Sequence, residues 1–139
     1  MKEKTERIEV VGNHSIHWDS DVESLLQEFS TIFNDLFKGT SYTADRNSTP
    51  GEKSVDIFWG EPSVMNKRVA HAWPKLRTEN MDLCVKTELV SLIKDKVDLP
   101  EDDDIKPGRY SGWRTFKKIP MSKALEILGA IAGKAPTDN

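Results

Sequence analysis

The longest regular pattern of apolar and polar positions spans residues 21–37. Val22, Leu25, Leu26, Phe29, Ile32, Phe33, Leu36 and Phe37 recur at three- and four-residue spacing, which lines them along one face of an amphipathic helix. Ser20 and Glu23 stand three apart at its start and predict a capping box. Gly39 is placed to end the helix, because glycine enters the left-handed region without steric cost. An apolar stripe this broad needs a broad partner, most simply a sheet.

Period-two alternation marks residues 7–11 as a strand, with Gly12-Asn13-His14 as a turn and residues 15–18 as the returning arm. Residues 40–53 are polar and contain Pro50-Gly51, which predicts a mobile loop. Residues 55–59, 68–73 and 81–86 read as three strands, each rich in branched or aromatic side chains and bounded by Gly, Pro or Asn. Thr87 opens a second helical segment with Leu89, Leu92, Ile93 and Val97 at helical spacing. Leu99-Pro100 and the acidic run from Glu101 to Asp104 stop it. Residues 113–119 predict another strand, and Pro120 opens a last helix whose apolar side is Leu125, Ile127, Leu128 and Ile131. The expected class is α+β, an antiparallel sheet with helices packed on it in helix–sheet–helix order, plus an N-terminal hairpin. With 139 residues, one domain is expected: a hairpin extension over 1–19, a core over 20–133 and a frayed tail over 134–139.

Composition narrows the class of function. No stretch approaches the roughly 18 apolar residues of a membrane span, so no membrane partner is expected. The N-terminal MKEKTERIEV has no apolar core of a secretory signal, and one cysteine forms no internal disulfide, so a cytoplasmic location is expected. The net charge of −3 gives no wholesale attraction to nucleic acid, but the charge is unevenly spread. Residues 1–65 carry six cations against twelve acids, whereas residues 66–118 carry twelve cations against nine.

Several constellations resemble chemistry without meeting its requirements. His14 and His17 near Asp19 and Asp21 lie in an extended segment, where residues three apart face opposite ways, so no metal site is expected. Cys84 reads as a small buried thiol on the apolar side of its strand, with His71 as the only reasonable base on a neighbouring strand. The run Glu101-Asp102-Asp103-Asp104 lacks the alternating ligands of a calcium loop and reads as a solvated turn. No catalytic residue, metal or cofactor is assigned.

The most chemical feature is an interleaving of cations and rings. Lys67, Arg68, Trp73, Lys75 and Arg77 surround one predicted strand. Arg109, Tyr110, Trp113, Arg114, Lys117 and Lys118 surround another. Lys and Arg neutralise phosphates while aromatic faces and guanidinium planes stack on bases. Alternation puts Arg114, Phe116 and Lys118 on one face and Trp113, Thr115 and Lys117 on the other, and leaves open which of the two packs on helices.

From Phe58 onward the chain resembles the MmcQ/YjbR-like family of small bacterial domains. The resemblance covers about residues 55–133. It rests on Phe58-Trp59-Gly60-Glu61-Pro62 followed by Val69-Ala70-His71-Ala72-Trp73, and on Asp82 to Lys86 running straight into the helix from Thr87. The turn Ile105-Lys106-Pro107-Gly108-Arg109-Tyr110 before Trp113 and the final helix from Pro120 complete it. The family's usual Asn-Lys-Arg/Lys-His run before its late tryptophan is replaced here by Tyr110-Ser111-Gly112. The resemblance implies a helix–antiparallel sheet–helix layout and DNA binding through the sheet and its wing-like turns. The expected function is therefore a non-enzymatic binding domain whose partner is DNA, gripped by a basic–aromatic sheet face with an affinity that falls steeply with salt. The alternative is a protein-interaction, adaptor or inhibitor domain.

Overall fold

The apolar stripe forms the helix it predicts. In the computed structural model, which describes residues 7–47, 49–61, 67–99, 105–107 and 112–135, helix α1 spans Val22–Leu36 and buries Leu25, Leu26, Phe29, Ile32 and Phe33. Its N-cap is Asp21, not Ser20: the Asp21 carboxylate accepts the Ser24 backbone N–H at 2.8 Å. A carboxylate is well suited there, since it meets the positive end of the helix dipole as well as an unpaired donor. Glu23, the expected second member of a capping box, is paired with Arg46 instead. Beyond the helix, Gly39 takes a φ of +83°.

The hairpin consists of β1 (Ile8–Val11) and β2 (His14–His17), paired antiparallel. The larger sheet has six antiparallel strands: β3 (Tyr42–Arg46), β4 (Val55–Trp59), β5 (Arg68–Lys75), β6 (Asn80–Lys86), β7 (Ile105–Pro107) and β8 (Trp113–Pro120). Their order is β3-β4-β5-β6-β8-β7. Helix α2 (Thr87–Ile93) continues directly from β6, and α3 (Met121–Ala132) directly from β8.

The loop expected over residues 40–53 is corrected: its first part is the edge strand β3. The reason is tertiary. Tyr42 and Ala44 turn inward to the core, and the Asn34 side chain of α1 donates to the Ala44 carbonyl and accepts the Ala44 N–H, both at 2.8 Å. One helix residue thus satisfies both polar groups of an otherwise open strand edge. Strand β7 is a second correction, since Ile105–Pro107 was expected to be a turn; it pairs with β8 through Lys106↔Thr115 and Pro107↔Arg114. The acidic run at 101–104 lies outside the described residues.

One face of the large sheet meets the helices. Val55 and Ile57 of β4, Ala70 and Ala72 of β5, Leu83 and Val85 of β6, and Phe116 of β8 pack with α1 and with Ile127, Leu128 and Ile131 of α3 in a single apolar cluster. The hairpin covers the other flank of α1. Ile16 and Trp18 are buried, and the Trp18 ring meets Phe29 edge-on at 5.7 Å. His14 and His17 do not converge; each holds a different α1 carboxylate, Asp35 and Glu28, at 3.0 Å. Tyr42 donates its hydroxyl to the Lys134 carbonyl at 2.7 Å, tying β3 to the segment after α3.

Asn34→Ala removes both bonds to the edge of β3 and is expected to cost about 1–2 kcal/mol of folding stability. Urea denaturation measures the loss. Amide exchange should quicken locally over residues 42–46, while an unchanged exchange rate there would show that the edge needs no such cover.

Candidate functional site

Four neighbouring strands each contribute one residue with a polar side chain or thiol to the same level of the sheet: Asp56 in β4, His71 in β5, Cys84 in β6 and Thr115 in β8. Backbone pairing brings them into a single cross-strand row, Asp56↔His71, His71↔Cys84 and Cys84↔Thr115. Because alternate side chains point to opposite faces, the whole row lies on the face away from the helices. Cys84 is therefore corrected from the apolar side: it shares a face with Asp82 and stands outside the helix-side cluster, and the Thr115 hydroxyl donates to its sulfur at 3.5 Å.

A bulge completes the site. Ile57 pairs with Ala70 but Phe58 pairs with Arg68, so Val69 is an extra residue in β5. Both Val69 and Ala70 turn into the core. Strict alternation would send Arg68 and Trp73 to opposite faces; the bulge re-aims Arg68 onto the face of His71 and Trp73. The result is a cleft of about 400 Å³ lined by Arg68, His71, Trp73, Cys84, Trp113 and Thr115, with Asn47, Thr49 and Glu52 of the β3–β4 connection at its rim. This lies within the range of small-ligand sites, roughly 300–1,000 Å³.

The cleft is an aromatic box with a cation in its wall. The His71 ring meets Trp73 edge-on at 4.1 Å and Trp113 at 5.6 Å. The Arg68 guanidinium lies 5.6 Å from the centre of the Trp113 ring, in cation–π range. Arg68 Nη1 is 3.7 Å from Oδ1 of Asp56, close enough for attraction but beyond hydrogen-bond length. The other Asp56 oxygen accepts from Asn47 Nδ2 at 3.1 Å. Asp56 Oδ1 and Arg68 Nε are buried, and neither has a hydrogen-bond partner among the described residues.

Electrostatics sets the protonation states. Burial first, and the Arg68 charge second, hold His71 down to about 4, so it is a neutral ring at physiological pH. Burial pushes the Cys84 thiol up, against a smaller opposing effect of the Thr115 hydroxyl and Arg68. His71 and Cys84 are thus neighbours that both favour their neutral forms, the opposite of an activated thiolate pair. Burial also raises the Asp56 carboxyl, and Arg68 draws it part of the way back. Among the described residues no group of three or more His, Cys, Asp and Glu side chains is arranged to hold a metal ion.

Of the ten expected binding residues, Arg68 and Trp73 line the cleft. Lys75 is bound to Asp82 at 3.4 Å. Lys117 and Lys118 are exposed at a second bulge, where the Lys118 N–H donates to Asp82 at 2.9 Å. Arg114 pairs with Val85 and shares its side of β8 with the core residue Phe116, so it does not join Arg68. Lys67 is exposed beside β5 and Arg77 is exposed in the turn after it. Arg109 and Tyr110 lie outside the described residues. Arg68, Lys75, Arg114 and Lys118 thus do not line up as one stripe: bulges and acid partners separate them. His71, Cys84, Thr115 and the rim residues were absent from the expected site, although His71 inside the run Val-Ala-His-Ala-Trp of β5 was a readable signal.

Compared with protein-family models, curated proteins and solved structures, the chain matches none. Among the described residues no helix is long and apolar enough to cross a membrane.

The His71 shift makes a pH prediction. The unfolded chain binds a proton near pH 6.5 that the folded chain takes up only near 4, so stability falls as pH drops through that window and is fully present above it. The contribution is at most about 3 kcal/mol. Denaturation of the native protein and of His71→Phe across pH 4 to 7 measures it. The native curve should be steeper by that difference, and parallel curves would refute a neutral, half-buried His71.

Proposed function

We propose that this protein is a non-enzymatic binding domain that engages unpaired nucleotides of nucleic acid in the aromatic cleft of its sheet. The observation that carries this reading is the packing of Trp73, Trp113 and His71 around a space of about 400 Å³ with the Arg68 guanidinium over the Trp113 ring. A flat heteroaromatic base fits between such rings, and a guanidinium beside it suits the phosphate that follows. The neutral states of His71 and Cys84 favour a binding role over a catalytic one. Membership of the MmcQ/YjbR-like family is part of the proposal and rests on its motifs. The form of binding differs from a grip on duplex DNA. Arg68 is the one cation among the described residues lining the cleft, and Lys75 faces Asp82, so few cations stand beside the rings to follow a phosphate backbone and the salt dependence should be shallow.

A protein partner is the second reading. It is favoured by Ile8 and Val10, which are 45% and 69% exposed on β1, a strand paired on one side only among the described residues. That mode should survive moderate salt and be lost in Val10→Asp.

Fluorescence anisotropy with single-stranded and duplex oligonucleotides at two salt concentrations tests the nucleotide reading. The single strand should bind more tightly, and Trp113→Ala and Trp73→Ala should each cost about 1–3 kcal/mol of affinity. Arg114→Ala and Lys118→Ala should change little. Equal binding of duplex, with the largest losses at Arg114 and Lys118, would contradict the cleft as the site. No binding at low salt would remove nucleic acid and leave the protein partner.

A further inference from the structure

The cleft holds one cation whose bonding is incomplete. Arg68 projects from a bulge, its Nε is buried without a partner among the described residues, and its nearest carboxylate oxygen stands 3.7 Å away. A guanidinium offers five donors in a planar fork, and a donor buried without an acceptor is costly. The counter-charge beneath it is equally incomplete: Asp56 is 3% exposed, and its Oδ1 accepts no hydrogen bond among the described residues. The two groups are held close enough to attract but not close enough to satisfy one another. An anion entering from the cleft would give the guanidinium the bidentate acceptor that Asp56 does not provide.

We infer that the cleft selects a ring bearing a single phosphate, either a free nucleoside monophosphate or the phosphate-bearing end of a strand, with Arg68 receiving the phosphate and Asp56 competing for it. This rests on the nucleotide reading above and adds the chemical class of the ligand. The limit to one phosphate follows from the charges around the site. Arg68 is the one formally charged cation among its described lining residues, while Glu52 stands at the rim and Asp56 lies beneath. A triphosphate would bring more negative charge than one guanidinium can match, against two carboxylates. His71 contributes a neutral ring to the aromatic wall, not a second positive charge. Thr115 and Asn47 supply a hydroxyl and an amide within the lining for polar groups on the base or sugar.

Isothermal titration at neutral pH, with adenosine, adenosine 5′-monophosphate, adenosine 5′-triphosphate and the corresponding cytidine compounds, tests the inference. The monophosphate should bind about tenfold or more tightly than its nucleoside, and more tightly than the triphosphate. Arg68→Gln should bring the monophosphate-to-nucleoside ratio close to one. Asp56→Asn should strengthen monophosphate binding severalfold without altering nucleoside binding. Circular dichroism and thermal melting report whether each variant folds. If Arg68→Gln does not, displacement of the monophosphate but not the nucleoside by inorganic phosphate in the native protein gives the same answer. Comparison of 5′-phosphorylated with 5′-hydroxyl trinucleotides separates a strand end from a free mononucleotide as the ligand. Equal affinity for nucleoside and monophosphate, or a preference that survives Arg68→Gln, would overturn the inference. If oligonucleotides still bind in the cleft, that result leaves the nucleotide reading standing. Failure of every ring ligand to bind would overturn both.

Discussion

In a pleated strand, neighbouring side chains point to opposite faces, and in this protein the described helices cover only one of them. The apolar set on β4, β5, β6 and β8 is committed to α1 and α3, and any slip by one residue would expose it all. That commitment places Asp56, His71, Cys84 and Thr115 together on the second face, in register across four strands. The row is a consequence of the core: the residues that stabilise the fold determine where the polar ones can stand.

Two departures from regular alternation then shape the site. The extra Val69 keeps two consecutive β5 residues in the core and swings Arg68 toward Trp73 and Trp113. The bulge at Lys117 and Lys118 lets both Phe116 and Ile119 face the helices and leaves the two lysines at the surface, with Asp82 accepting a freed backbone N–H. Each bulge costs a regular ladder position and re-aims a cation. The first concentrates charge where rings are gathered, and the second disperses it. Among the described residues, Arg68 is therefore the one cation that lines the aromatic cleft.

Much of the fold was legible because periodicity follows burial. The α1 stripe, β4 and the last helix were read nearly to their ends, since their apolar positions repeat at the period of the element. β3 was hidden because Tyr-Thr-Ala-Asp-Arg is a polar edge whose strand state depends on Asn34, a residue of α1. The Asp21 cap was missed by one position because Ser20 offers a similar side chain and only the Ser24 contact distinguishes them. The candidate site was half legible. Arg68 and Trp73 stood out as a cation and a ring, but five residues apart they belong to opposite faces of any regular strand, and the bulge that unites them leaves no mark in composition. His71 and Cys84 were noticed only as a weak catalytic pair, whereas the half-buried neutral ring and the buried neutral thiol line a cleft.

Binding in the cleft requires that the helix-free face of the sheet be the one that meets the ligand. Titrating a nucleoside monophosphate into isotope-labelled protein and following the four tryptophan indole N–H signals by nuclear magnetic resonance reads this directly. Trp73 and Trp113 line the cleft, whereas Trp18 is packed against Phe29 and Trp59 against Tyr42 on the helix side. Movement of the Trp73 and Trp113 signals with Trp18 and Trp59 unmoved is the predicted result, and movement of Trp18 or Trp59 with the cleft pair silent would contradict it.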